Sequence, residues 1–119
     1  MTLERDVRDL WRRYDAGDLD VDTASRDAYD TLDAFLDALE AGEVRAAEPR
    51  DGEWAANEWV KQGILLNFGL RDIEGREYGD VTYHDVLPLR RTDDLPGRNT
   101  RNTPDGTVLR RGAHVGSDC

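Results

Sequence analysis

Two histidines and one cysteine are the side chains of this 119-residue chain whose types best suit acid–base or nucleophilic chemistry. His84 stands between Tyr83 and Asp85, and an imidazole near a carboxylate can act as a general base. Adjacent residues of an extended segment point to opposite faces, so we expect His84 to be structural. His114 and Cys119 add too few ligands for a zinc cluster, and nothing predicts an activated thiol. The sequence therefore predicts no metal site and no catalytic residue.

The basic residues of this chain are fifteen arginines and a single lysine. A guanidinium can grip a carboxylate through two parallel hydrogen bonds, which favours a carboxylic acid as the ligand. Four candidates lie near the end of the chain: Arg98, Arg101, Arg110 and Arg111. For each of them the alternative is an arginine in water. Lys61 could bind a phosphate through its compact positive charge. The alternative is that Lys61 is a solvent-exposed residue of a helix.

Two tryptophans lie in the stretch Asp51–Leu70, which also contains the dense apolar run Ile64–Phe68. Trp54 and Trp59 could stack on a ligand, since exposed aromatic side chains often mark binding sites. We expect core positions for them instead, because Trp59 falls on an apolar helix and large aromatic side chains dominate core energetics.

Two amphipathic helices are predicted before this stretch. The first stops at Gly17 and has these apolar residues at helical spacing: Leu3, Val7, Leu10, Trp11 and Tyr14. Thr23 is expected to cap the second helix, which ends at Gly42. The buried stripe of the second helix is predicted to contain Ala28, Tyr29, Leu32, Phe35, Leu36 and Leu39.

A short β-hairpin and a third helix follow in the prediction. Val44–Ala47 can pair with Glu53–Ala55, because Pro49–Gly52 has the composition of a turn. Two strands alone would be marginal, so we expect the next helix to support them. That helix is predicted over residues 57–68 and is apolar on most of its circumference, which is typical of a centrally buried helix.

After this helix the sequence turns polar. Gly69–Thr82 shows no strand pattern, and Val81–Leu89 is predicted to be a short extended piece. Residues 90–107 are predicted to be a linker, because they are polar and contain two prolines and two glycines. In residues 108–119, Leu109 and Val115 stand six positions apart, which is one hexapeptide step. Hexapeptide repeats stack into parallel β-helices, although a chance match in a polar tail is the alternative.

The acidic composition narrows the expected partners. With 26 acidic and 16 basic residues the net charge is −10, so a phosphate backbone is repelled and nucleic acid is not an expected partner. Asp outnumbers Glu 18 to 8, as in the lysine-poor surfaces of proteins from salt-loving organisms, with acidic coding bias as the alternative. No stretch approaches the roughly 18 apolar residues of a membrane span, and no signal peptide is evident. We expect a cytoplasmic protein.

Four segments resemble the tetrahydrodipicolinate N-succinyltransferase family in the right order. The stretch Asp51–Leu70 is similar to the core helix of that family, and Leu36–Glu48 resembles its helix end, glycine stop and Arg-containing strand. Tyr83–Leu89 resembles a Tyr-x-Asp-x-aliphatic-Pro segment, and Val108–Cys119 resembles the entry into a left-handed β-helix. The resemblance implies an α+β fold, with a helix-rich domain over residues 1–89, a linker over 90–107 and the truncated start of a β-helix over 108–119.

The resemblance also implies an activity, which is transfer of a succinyl group from succinyl-CoA to the amine of tetrahydrodipicolinate in lysine and diaminopimelate biosynthesis. Succinyl-CoA is then a co-substrate, with no tightly bound cofactor, and the full-length protein is a homotrimer. Arg101, three residues before Pro104, lies where the family has a carboxylate-binding arginine, although one extra residue before Gly112 departs from the family pattern.

In the family, the base-region carboxylates and the CoA groove belong to β-helix coils of neighbouring subunits. Because this chain stops inside a hexapeptide motif at Cys119, we expect an N-terminal fragment that is inactive by itself. N-acetyl transfer to the same acceptor is the close alternative, since the coils set the acyl choice. An acidic helical module that binds a protein partner through the Trp11 or Trp54 surface is the alternative from another class.

Overall fold

A computed structural model describes residues 2–104 and 107–119 and shows an α+β arrangement, as predicted. The elements in chain order are α1 (Thr2–Asp15), α2 (Arg26–Ala41), β1 (Ala47–Arg50), β2 (Glu53–Ala56), α3 (Glu58–Gly69), β3 (Glu74–Tyr78), β4 (Val81–Asp85) and a short 3-10 helix (Pro96–Arg98). The strands form two separate antiparallel hairpins. Within the described residues, no helix is long and apolar enough to cross a membrane.

The core of the protein lies between the three helices, where α1 packs on α3 and α2 packs on both. Phe35 of α2 is fully buried, and its ring meets Trp59 of α3 edge-on at 6.0 Å between centroids. Gly63 makes this approach possible, because a Cβ there would stand 2.5 Å from the Phe35 ring. Burial of Trp59 confirms its predicted core position.

The caps of α2 explain where the helix begins and ends. Ser25 caps the N-terminus by accepting a hydrogen bond from the Ala28 amide, so the prediction of Thr23 as the cap is wrong. The Thr23 hydroxyl instead accepts from the Asp20 amide at 2.9 Å and closes the preceding turn. At the other end Gly42 adopts φ 76°, a left-handed conformation that glycine accepts without strain, which confirms the predicted stop.

Helix α3 departs from its prediction on two faces. Asn67, one of the few polar residues of the helix, is only 1% exposed, and its amide donates to the Gly63 carbonyl while its oxygen accepts from Arg71. Leu65 and Phe68, predicted to be part of the buried run, are 43% and 38% exposed. An apolar helix of this kind has no contrasting face, so the sequence cannot indicate which residues point inward.

The first hairpin forms three residues later than predicted on its first strand. The predicted strand Val44–Ala47 becomes β1 at Ala47–Arg50, and the turn tightens to Asp51 and Gly52. Both turn residues have positive φ, 51° and 82°, which is the type I′ geometry that an Asp-Gly pair favours. Val44 instead joins the buried core.

A second hairpin occupies the stretch after α3, and the sequence predicted only the extended piece Val81–Leu89, which contains its second strand, β4. Strand β3 pairs with β4, with Arg76 opposite Tyr83 and Tyr78 opposite Val81. The Tyr78 and Tyr83 rings meet edge-on at 5.5 Å, and the Tyr78 hydroxyl accepts from the Leu89 amide. Polar residues on both faces of this hairpin hide the alternation that would have predicted it.

Residues 86–104 and 107–119 follow the last strand and form the C-terminal segment. Leu87 and Leu95 anchor it by burial. Among the described residues, one isolated antiparallel β-bridge lies outside the named strands. It joins Leu89 to Arg110. The left-handed β-helix and the division at residues 90 and 108 stay predictions, and positions 105 and 106 of the predicted linker lie outside the described residues.

Candidate functional site

Two short backbone crossings organise the C-terminal segment. In the first, the Arg90 amide donates to the Leu109 carbonyl at 2.7 Å, and the Arg111 amide donates to the Pro88 carbonyl at 3.0 Å. In the second, residues 98–101 run beside residues 115–119. These crossings place all four candidate arginines in a folded region of the chain.

The second crossing carries Arg101. The Arg101 amide donates to the Cys119 carbonyl at 3.0 Å, and the Asp118 amide donates to the Arg98 carbonyl at 2.9 Å. The Thr100 hydroxyl adds a bond to the Gly116 carbonyl at 2.9 Å. The backbone on the N-terminal side of Arg101 is therefore fixed by three hydrogen bonds.

A charge cluster around Asp94 lies just before this crossing. Arg90 grips the Asp94 carboxylate through both terminal nitrogens, at 2.9 and 2.7 Å, and the Arg98 Nε adds a third bond at 3.0 Å. Hydrogen bonds from Arg90, then from Arg98, lower the pKa of Asp94 from 3.8 to about 2, although desolvation opposes them. The carboxylate is therefore held in its charged form.

Arg111 fastens the C-terminal segment to helix α2. Its guanidinium lies 2.7 Å from a Glu40 carboxylate oxygen and 2.9 Å from one of Asp37. The second Glu40 oxygen accepts from the Gly112 amide at 3.0 Å. Burial disfavours the charged guanidinium, but the bonds to Glu40 and Asp37 outweigh it and raise the pKa of Arg111 above its usual value.

Arg110 connects the same segment to β4 and α3. Its Nε donates to Asp85 at 2.8 Å, and its guanidinium lies over the Phe68 ring at 5.0 Å. Hydrogen bonds from the Arg110 side chain and from the Val86 amide hold the pKa of Asp85 below its usual range. Arg110 and Arg111 are therefore both already paired with carboxylates of the protein itself.

Arg101 differs from the three competing arginines. Its side chain is exposed and pairs with no carboxylate within residues 2–104 and 107–119, whereas Arg98, Arg110 and Arg111 each do. A guanidinium in water with free donors can still form the bidentate pair that a carboxylate ligand needs. Of the four predicted candidates, Arg101 thus has the most suitable surroundings, and its role stays a prediction.

The other predicted candidates lie apart from each other. His84 is exposed on β4 opposite Gly75, while the His114 Nδ1 lies 2.9 Å from the Glu40 carbonyl at the end of α2. Cys119 is exposed, and Lys61 lies 3.9 Å from Glu58 on the surface of α3. In the described part of the chain, no three His, Cys, Asp or Glu residues are grouped to hold a metal ion.

Trp54 is a surface feature that sequence reasoning missed. It is 70% exposed, so its predicted core position is wrong, and the Arg45 guanidinium lies over the ring at 5.9 Å from its centroid. Directly paired residues share a face of the hairpin, so its outward face is apolar and consists of Ala47, Pro49, Trp54 and Ala56. In β1, Ala47 and Pro49 alternate with Glu48 and Arg50, and this alternation was the available signal.

Comparisons with known proteins point to one family. Residues 2–70 match the family model described as "Tetrahydrodipicolinate N-succinyltransferase N-terminal". A 2,3,4,5-tetrahydropyridine-2,6-dicarboxylate N-succinyltransferase of Alkalilimnicola ehrlichii is 35% identical over 104 residues, covering 84% of this chain and 38% of the relative. Proteins of the same name from Legionella pneumophila and Yersinia enterocolitica are 35% and 32% identical, covering 82% and 87% of this chain. The chain spans 36% and 38% of the length of these two relatives.

Proposed function

Because the chain belongs to the tetrahydrodipicolinate N-succinyltransferase family, we propose that it forms the N-terminal part of an enzyme that transfers a succinyl group from succinyl-CoA to the amine of tetrahydrodipicolinate. The match of residues 2–70 to the N-terminal family model is the observation that carries this proposal. The names of the relatives, which are N-succinyltransferases, support succinyl over acetyl transfer. The reaction would serve lysine and diaminopimelate biosynthesis.

The transfer makes three chemical demands. The amine nitrogen attacks the thioester carbonyl, the carbon–sulfur bond breaks, and the CoA thiolate leaves while the amine loses a proton. A base must accept that proton, hydrogen-bond donors must stabilise the oxyanion, and cationic groups must hold the dicarboxylate. The described residues provide a candidate for the third demand only.

Arg101 is the residue that we assign to the substrate carboxylate. Its guanidinium is exposed and pairs with no carboxylate among the residues that the structure describes, which suits a carboxylic acid, and the paired states of Arg98, Arg110 and Arg111 support the choice. Loss of a charge-assisted bidentate bond costs about 1.5–3 kcal/mol, or roughly 10- to 150-fold in binding.

The remaining groups would lie in the part of the enzyme that corresponds to the rest of the relatives. We propose that they include the base, the CoA groove and the contacts of a homotrimer. We therefore expect the 119-residue chain alone to be inactive, because its described residues provide a candidate for only one of the three chemical requirements.

A chimera tests this proposal. The 38% of the Alkalilimnicola ehrlichii relative that matches this chain is replaced by it, and release of the CoA thiol is followed with succinyl-CoA and tetrahydrodipicolinate. We expect turnover by the chimera and none by the isolated chain. A correctly folded chimera that stays inactive, or turnover by the isolated chain, contradicts the proposal.

A protein-binding function is the second candidate, and the exposed Trp54 is the observation that favours it. The apolar outward face of the first hairpin is unusual on a chain of net charge −10. Trp54→Ser in the same chimera separates the two uses of this face. If this face takes part in assembly of the enzyme, Trp54→Ser should lower the rate of CoA release. If the face binds another protein, Trp54→Ser should leave that rate unchanged.

A further inference from the structure

The Asp94 cluster is built more firmly than a surface ion pair. The Arg90 side chain is only 3% exposed, and its Nε has no hydrogen-bond partner among the described residues. Burying a guanidinium with an unused donor costs folding free energy. A neighbouring pair, Arg91 with Asp93, forms at 3.1 Å with both side chains mostly in water, 88% and 70% exposed. The two pairs lie in the same stretch, so their difference reflects their surroundings.

The cluster is connected directly to the backbone that carries Arg101. Arg98 is the connection, because its Nε binds Asp94 while its Nη1 donates to the Val115 carbonyl at 3.1 Å. The Arg98 carbonyl in turn accepts from the Asp118 amide at 2.9 Å. One guanidinium thus links the Asp94 carboxylate to both sides of the second crossing.

We propose that Asp94 is a positioning residue, which fixes Arg98 and through it the direction in which Arg101 meets a substrate carboxylate. The inference rests on the proposed function, because it needs Arg101 to bind substrate. Asp94 itself does not touch the substrate. Without it, Arg98 keeps its bond to Val115 but loses the fixed end that orients its side chain.

Hydrogen exchange on the 119-residue chain tests the structural step, and Asp93→Asn is the matched control. Asp94→Asn removes the same charge from the same stretch, yet we expect only this variant to speed exchange of the Arg101 and Asp118 amides, by roughly tenfold. Amides in α1–α3 keep the wild-type rate. Equal exchange in the two variants overturns the inference.

Kinetics of the chimera test the functional step. We expect Asp94→Asn to raise KM for tetrahydrodipicolinate roughly tenfold, with kcat and KM for succinyl-CoA unchanged, because misdirection of a binding group weakens substrate capture. Asp93→Asn leaves all three constants unchanged. If Asp94→Asn does not fold, Arg98→Lys replaces it, since an ammonium keeps the charge but cannot bridge Asp94 and Val115 as a planar fork does.

The outcomes separate this inference from the proposed function. If Arg101→Ala raises KM for tetrahydrodipicolinate while Asp94→Asn does not, the positioning role is overturned and the substrate contact stands. If Arg101→Ala leaves this KM unchanged, the substrate contact fails, and the role of Asp94 fails with it.

Discussion

The helical body and the C-terminal segment are held together by different forces. In the body, Val7, Leu32 and Phe35 are fully buried, and the packing of apolar side chains accounts for the fold. The C-terminal segment is held by ion pairs and by the hydrogen bonds of the two backbone crossings, and its buried apolar residues are Leu87 and Leu95. The comparison leads us to expect that the body is the scaffold, and that loss of a charge that fastens the segment to the body loosens the segment while the helices stay folded.

The largest expected effect is in the body. Phe35→Ala removes a fully buried ring that contacts Trp59 and Gly63, and should lower the free energy of unfolding by about 3–5 kcal/mol. Urea denaturation followed by tryptophan fluorescence measures it. Ile73→Ala is the control, because Ile73 is exposed and its loss should change the free energy by less than about 0.5 kcal/mol. Similar losses of unfolding free energy in the two variants would contradict the view that the buried helical body determines the stability of the fold.

Arg111→Ala should open the C-terminal segment while the helices stay folded. The change leaves Glu40 without its cation and should weaken local docking by about 1.5–3 kcal/mol. Faster exchange of the Gly112 amide, which donates to Glu40, is the expected result, with a nearly unchanged melting temperature. Arg91→Ala, which breaks an exposed pair, should affect neither quantity. A fall in melting temperature as large as that of Phe35→Ala would show that the two regions unfold as one.

Salt should act in opposite directions on the stability of the whole chain and on the ion pairs of the C-terminal segment. The net charge of −10 repels itself, so the whole chain should lose stability at low salt, where the screening length grows from about 8 Å to about 30 Å. The ion pairs of the C-terminal segment should weaken as salt rises. Melting curves and Gly112 amide exchange, each from 0.01 M to 1 M salt, measure the two trends. An unchanged melting temperature on desalting would refute the expectation of a salt-requiring protein.

The smallest expected effect is on acid stability. The pKa of Asp94 is lowered from 3.8 to about 2 in the folded chain, so the stabilising contribution of its carboxylate is complete above about pH 4 and is lost as pH falls towards 2. The difference in melting temperature between wild type and Asp94→Asn should therefore shrink between pH 4 and pH 2. A difference that stays constant over this range would mean that Arg90 and Arg98 do not stabilise the charged form.

The sequence predicted the elements better than their exact boundaries. The Gly42 stop was predictable because a left-handed cap has a local requirement for glycine. The shift of β1 was not, because Pro49 can stand in a turn or on an unpaired strand edge, and the tight Asp51–Gly52 turn decided between them. Strand β3 and its pairing with β4 were missed because charged residues share the face that carries Tyr78 and Tyr83, which hides the alternation.

The candidate site was only partly predictable for a different reason. Arg101 was singled out by a resemblance, but its contrast with Arg110 and Arg111 depends on Asp85, Asp37 and Glu40, which are distant in sequence. Such pairings exist only in the folded chain. The proposed role of Asp94 could not be predicted from residue spacing. It depends on the contact between residues 98–101 and residues 115–119, which exists only in the folded chain.

The most direct measurement of the central claim is the KM for tetrahydrodipicolinate of the chimera that carries Arg101→Ala. We predict a rise of roughly 10- to 150-fold, with KM for succinyl-CoA unchanged, because Arg101 would hold the dicarboxylate and not the acyl donor. A KM for tetrahydrodipicolinate equal to that of the unaltered chimera would contradict the account.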